Sequence, residues 1–138
     1  MARRLAVECS HQNICKMKRI LLVDDDTDLL ISLKTVLRKQ GYEVTTTTSC
    51  TEGLTIFYSV QPDLVLLDVN VGDEDGRSMC RQIKTKAESQ HIPVILISAN
   101  EEQLRSYHEY GADASLPKPF DLTHLLDLVK KILAKHIG

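Results

Sequence analysis

An α/β fold, one parallel sheet with helices on both faces, is what this chain predicts, and three observations carry the prediction. Apolar runs of strand length recur at residues 20–23, 64–67 and 94–97, too short for buried helices and too continuous for half-exposed strands. Between them lie segments whose apolar residues return every three or four positions, the period of an amphipathic helix. Each apolar run also stops on polar, chemistry-bearing side chains: Asp24-Asp25-Asp26, Asp68 and Ser98. With 138 residues, 43% of them hydrophobic, the chain suits a single globular domain.

Residues 1–17 show little periodicity and read as a flexible leader or an added extension ahead of a domain at 18–138. The first strand, 20–23, feeds a helix beginning at Thr27 with Leu29, Leu30, Leu33, Val36 and Leu37 on one face. Asp26 or Thr27 caps it and Gly41 stops it. A β-branched strand follows at 42–46, with Val44 as its buried candidate. Ser49-Cys50-Thr51-Glu52 then has the form of a capping box opening a helix that ends before Pro62.

The third strand, 63–67, delivers Asp68. After Gly76, the residues Met79, Cys80 and Ile83 mark the next helix. Pro93 introduces the fourth strand, which ends on Ser98-Ala99-Asn100. A fourth helix is expected from Asn100 to Tyr110, thinly packed, because Leu104, Tyr107 and Tyr110 are its main apolar positions. The last strand, 114–116, leads into Pro117-Lys118-Pro119-Phe120, and Asp121 caps a final helix rich in leucine with lysines towards its C-terminus.

Composition narrows the partners. A formal net charge of −2 without a long basic block argues against nucleic acid or an anionic membrane. No apolar run reaches spanning length and no secretory signal is visible, so a cytoplasmic protein is expected. Cys9, Cys15, Cys50 and Cys80 lack the paired spacing of a zinc site and read as reduced thiols.

Parallel strands point their carboxyl ends at one edge of the sheet, the edge at which open α/β folds bind ligands. Asp24, Asp25, Asp68, Ser98 and Lys118 each stand within a residue or two of a strand end and therefore converge there. Singly they read as turn acids, helix caps and a loop lysine. Together they make a different case. Clustered carboxylates repel one another unless a cation intervenes, and hard oxygen ligands suit magnesium or manganese. A metal, a lysine and a hydroxyl beside a carboxylate suit phosphoryl transfer, with Asp68 as nucleophile and Asp24 and Asp25 as metal acids.

On these residues, from about Lys18 to His136, the chain resembles the receiver domain of two-component response regulators. The resemblance rests on the acidic pair Asp24-Asp25, an acceptor at Asp68, the hydroxyl of Ile97-Ser98-Ala99 and the lysine of Lys118-Pro119-Phe120. It implies a flavodoxin-like, doubly wound five-stranded sheet of order 2-1-3-4-5 flanked by five helices. It also implies a further metal ligand in the backbone carbonyl of Asn70, and a phosphoryl donor that is a histidine kinase or histidine phosphotransfer protein. Activity would be limited to self-phosphorylation and slow self-dephosphorylation. Output would be protein contact through the fourth helix, fifth strand and last helix, with no DNA-binding domain, as a monomer or a phosphorylation-dependent dimer.

Two positions depart from the family pattern. Gly72 stands where a proline is usual, in a loop carrying Asp73, Glu74 and Asp75; the loop is expected to be flexible and its extra acids to be merely solvated rather than to strengthen cation recruitment. Ser115 stands where an aromatic is usual three residues before the lysine, which leaves room for a phosphorylation-independent scaffold. A receiver excised from a hybrid kinase or a longer regulator is a further alternative.

Overall fold

The computed structural model describes residues 17–135; most of the expected leader lies outside them. A five-stranded parallel sheet is built from β1 (Arg19–Val23), β2 (Glu43–Thr47), β3 (Leu64–Asp68), β4 (Val94–Ser98) and β5 (Ala114–Pro117). Numbered this way, the spatial order is 2-1-3-4-5. The helices are α1 (Thr27–Lys39), α2 (Cys50–Val60), α3 (Gly76–Thr85), α4 (Glu101–Leu104) and α5 (Leu122–Lys135).

Alternation along the strands sorts the core into two layers. Leu21, Val23, Val65, Leu67, Val94 and Leu96 meet α2, α3 and α4 through Phe57, Met79, Ile83 and Leu104. Ile20, Leu22, Leu64, Leu66, Ile95 and Ile97 meet α1 and α5 through Leu33, Leu37, Leu125 and Val129. β3 and β4 are buried along their whole length, which explains their unbroken apolar sequence.

The expected caps form. Asp26 Oδ1 accepts from the Leu29 amide at 3.1 Å, and Ser49 Oγ from the Glu52 amide at 3.2 Å. Gly41, at φ +98°, turns the chain out of α1. In β2 the buried side chain is Thr47 and Val44 is only half-buried, because β2 is an edge strand and its C-terminal end tucks under the acidic edge.

Two segments differ from expectation. The fourth helix is one turn of α-helix, Glu101–Leu104, followed by a separate 3-10 turn, Tyr107–Tyr110. Leu104 is the one buried residue of the pair, too little apolar surface to hold a longer helix. Tyr110 instead lies beneath the guanidinium groups of Arg77 and Arg81, at 5.3 and 4.6 Å, which fastens the 3-10 turn to α3. The loop after Asp68 forms a small hairpin: Asn70–Val71 pairs antiparallel with Glu74–Asp75 around Gly72 at φ +60°.

Candidate functional site

Register brings the strand ends level. Val23 lies opposite Leu67, Asp68 opposite Ile97 and Ser98 opposite Pro117. The residues that follow or end these strands therefore meet at one edge: Asp24, Asp25, Asp68 and Lys118 are in contact there, and Ser98 ends the neighbouring strand with its hydroxyl on Gln103. One oxygen from each of Asp24, Asp25 and Asp68 lies within 4.8 Å of the others. Asp24 and Asp68 are each 5% exposed, Ser98 is fully buried, and Asp25 faces solvent.

Lys118 reaches into the acid pair from the loop after β5. Its Nζ donates to Asp24 Oδ2 at 2.8 Å and to Asp68 Oδ2 at 3.2 Å. Burial opposes the charge on the ammonium, but the hydrogen bond and charge of Asp24, joined by those of Asp68, outweigh it and raise the Lys118 pKa. For Asp68 the balance goes the other way. Burial and the neighbouring Asp24 carboxylate raise its pKa to about 6, against the opposing pull of Lys118 and the Asn70 amide, which donates to Oδ1 at 3.3 Å.

Asp24 and Asp25 each also accept a backbone amide. Asp24 Oδ1 accepts from the Asp26 amide at 2.9 Å, and Asp25 Oδ2 from the Gly72 amide at 3.1 Å. The Asn70 side chain pairs with Gln103. Three hard carboxylates, two of them buried and one open to solvent, make a donor set that fits magnesium or manganese.

The expectation that Asp73, Glu74 and Asp75 are merely solvated is wrong for two of the three. Glu74 accepts from the Cys50 amide at 2.6 Å, the Thr51 amide at 3.1 Å and the Thr51 hydroxyl at 2.6 Å. It thereby binds the exposed amides at the start of α2. Asp75 caps α3 through the Arg77 amide and grips the Arg77 guanidinium at 2.8 Å. The Thr51 hydroxyl, with the Cys50 amide, lowers the Glu74 pKa. A group lowered on folding stabilises above its unfolded pKa, and the gain is lost as pH falls through the folded value. Glu74→Gln is therefore expected to lower stability at neutral pH, with faster amide exchange at Cys50 and Thr51, and the difference should close in acid. Unchanged exchange at both amides would count against the contact.

Cys50 and Cys80 are buried thiols whose pKa values burial pushes up to about 12, so neither is a nucleophile. Gln103 reads in the sequence only as part of a capping pattern with Asn100; its side-chain contacts come from the ends of β3 and β4, and no spacing marks them.

Comparison with known proteins agrees with this geometry. The family model of the response regulator receiver domain matches residues 20–130. A putative response regulator from Chloroflexus aurantiacus is 32% identical, with 86% of this chain and 99% of that one covered and a TM-score of 0.81. A CheY-like receiver domain protein from Methanospirillum hungatei is 30% identical, covering 88% and 97%, with a TM-score of 0.80. The response regulator TrrA from Thermotoga maritima, solved in complex with Mg(2+)-BeF, is 32% identical, covering 83% and 98%, with a TM-score of 0.76. The match over most of the chain, with the doubly wound order and the acids at its carboxyl edge, shows that the chain belongs to the receiver-domain family of two-component response regulators.

Proposed function

We propose that Asp68 accepts a phosphoryl group from a phosphohistidine on a histidine kinase or histidine phosphotransfer protein, and that the product is read by protein contact. The observation that carries this reading is the buried carboxylate of Asp68 held by Lys118 beside Asp24 and Asp25. A carboxylate oxygen of Asp68 attacks phosphorus. The nitrogen–phosphorus bond breaks with its electrons on the imidazole, which takes up a proton. Lys118, already paired to Asp68, stays in reach of the new phosphoryl oxygens. The Ser98 hydroxyl stands at the neighbouring strand end to donate to them.

Asp24, Asp25, Asp68 and the backbone carbonyl of Asn70 would hold Mg2+ or Mn2+. When bound, the ion neutralises charge on the phosphoryl oxygens. The receiver is read as residues 18–138, and it works in the cytoplasm, where thiols such as Cys50 and Cys80 stay reduced. Its reading surface is the face of α4, β5 and α5. On that face Ser115 is half-buried in β5, which favours a signal carried by the α4 segment rather than by an aromatic side chain.

Incubation with a small-molecule acyl phosphate and magnesium, followed by intact mass measurement, tests the assignment. The wild type should gain one phosphoryl group and Asp68→Asn none. Label that persists in Asp68→Asn, or a wild type that never takes it up, overturns the reading. A labelled protein whose spectra and partner affinity do not change would identify a constitutive scaffold.

A further inference from the structure

The buried hydroxyl of Ser98 is already in use. It accepts from the Asn100 amide at 3.0 Å and donates to Oε1 of Gln103 at 2.7 Å. Gln103 is also half of a reciprocal amide pair: Asn70 Nδ2 donates to the same Oε1 at 2.8 Å, and Gln103 Nε2 donates to Asn70 Oδ1 at 3.1 Å. One glutamine of α4 thus ties the end of β4 to the loop that follows Asp68. Gln103 is held in place by its own amide on the Asn100 carbonyl at 3.1 Å and by the burial of Leu104 beside it.

A serine hydroxyl has one proton. While that proton lies on Gln103, Ser98 cannot donate it to an anion on Asp68. We infer that Gln103 is a positioning residue that holds the Ser98 hydroxyl in its resting direction and competes with the phosphoryl group for its proton. The inference rests on Asp68 being the phosphoryl acceptor.

The exchange runs in favour of the anion, since a hydrogen bond to a charged oxygen is stronger than one to a neutral amide. It is nevertheless reduced by the resting bond that must be broken. Breaking it leaves Gln103 Oε1 with Asn70 as its remaining donor, so the occupancy of Asp68 is felt directly by α4. This is a polar linkage between acceptor and α4 in a chain that has Ser115 where its family commonly carries an aromatic.

Titration of the full chain with beryllofluoride in excess magnesium, followed by two-dimensional NMR, measures the competition. Gln103→Met keeps the length and helix preference of the side chain and cannot accept from Ser98 as an amide does. It should bind beryllofluoride about two- to ten-fold more tightly than the wild type, the range that loss of one competing hydrogen bond represents. Gln103→Ala should do the same if the methionine disturbs packing. The gain should vanish in a Ser98→Ala background, which has no proton to compete for; a merely structural effect of residue 103 would persist there.

A wild type that responds while both Gln103 variants bind with unchanged or weaker affinity overturns the competition and leaves Asp68 as acceptor. A gain that survives in Ser98→Ala overturns it as well. No response in the wild type with a clear response in Gln103→Met means the clasp holds the site closed and supports it. No response in any of these proteins overturns both the acceptor reading and this one.

Discussion

Gly76→Ala should destabilise the protein by about 3 kcal/mol or more and disable the site at the same time. Gly76 opens α3 directly beneath Asp68, and its amide donates to the Val69 carbonyl at 2.7 Å. A methyl group there would collide with the carbonyl oxygen of Asp68 and come within 3.0 Å of its carbonyl carbon. Backbone cannot rotate away as a side chain can. Either α3 moves off the sheet or the end of β3 moves, and Asp68 moves with it. Gly53→Ala is the comparison: its new methyl meets the flexible end of Met79 at 3.2 Å and Val23 at 3.3 Å. In the interior of α2, replacing glycine by alanine returns up to about 1 kcal/mol of helix preference, so a small net change is expected. Urea unfolding of the two variants decides the matter; equal effects would show that the contact with Asp68 costs nothing.

Asp68→Asn should stabilise the metal-free protein at pH 7.5, by about 1–2 kcal/mol, while removing the proposed phosphoryl acceptor. Burial, joined by the charge of Asp24, raises the Asp68 pKa from 3.8 to about 6. A carboxyl whose folded pKa is raised favours folding fully below its unfolded pKa, and that contribution is lost as pH rises through the folded value. The advantage of the Asp68→Asn variant over the wild type should therefore be absent below about pH 4, develop between about 4 and 6, and be complete above that. About 1.4 kcal/mol per pH unit is the ceiling, and the open side of the site and the lost contact with Lys118 reduce it. Lys118→Met should act in the opposite sense, leaving Asp24 and Asp68 adjacent without a cation, and added magnesium should recover part of the loss. Chemical denaturation in chelator at several pH values measures both. A difference between Asp68→Asn and wild type that stays flat across the range would show that the carboxylate is not strained by its surroundings.

How much of this could be read from residues follows from where each hydrogen-bond partner lies in the chain. Leu64, Val65, Leu66 and Leu67 declare β3 because a strand covered on both faces needs apolar residues at every position. Asp68, Asp24 and Ser98 declare an edge because each interrupts such a run. Asp26 and Ser49 declare helix starts because the amides they accept from are three residues away.

Glu74 cannot be read in this way. Its partners, the Cys50 and Thr51 amides and the Thr51 hydroxyl, are more than twenty residues distant, and no spacing in the sequence links them to it. Gln103 has the look of part of a cap because Asn100 precedes it, whereas its side-chain amide is engaged with Asn70 and Ser98. The fourth helix reads too long from the sequence because Tyr107 and Tyr110 fall at helical spacing from Leu104. They pack as parts of a separate turn against α3. Gly72 suggests flexibility, yet its positive φ serves a defined hairpin turn that a proline, fixed at negative φ, could not make.

Surface loops ordinarily tolerate insertion and deletion. The stretch from Asn70 to Gly76 does not have that freedom. Within seven residues it meets Asp25 through Gly72, the start of α2 through Glu74, the start of α3 through Asp75, and the backbone of Asp68 at Gly76. Its two-residue strands fix which side chain faces which neighbour. One residue more or fewer would turn Glu74 away from α2 or drive α3 out of step with β3. The length of this loop is therefore as strictly determined as the identity of the acid that precedes it.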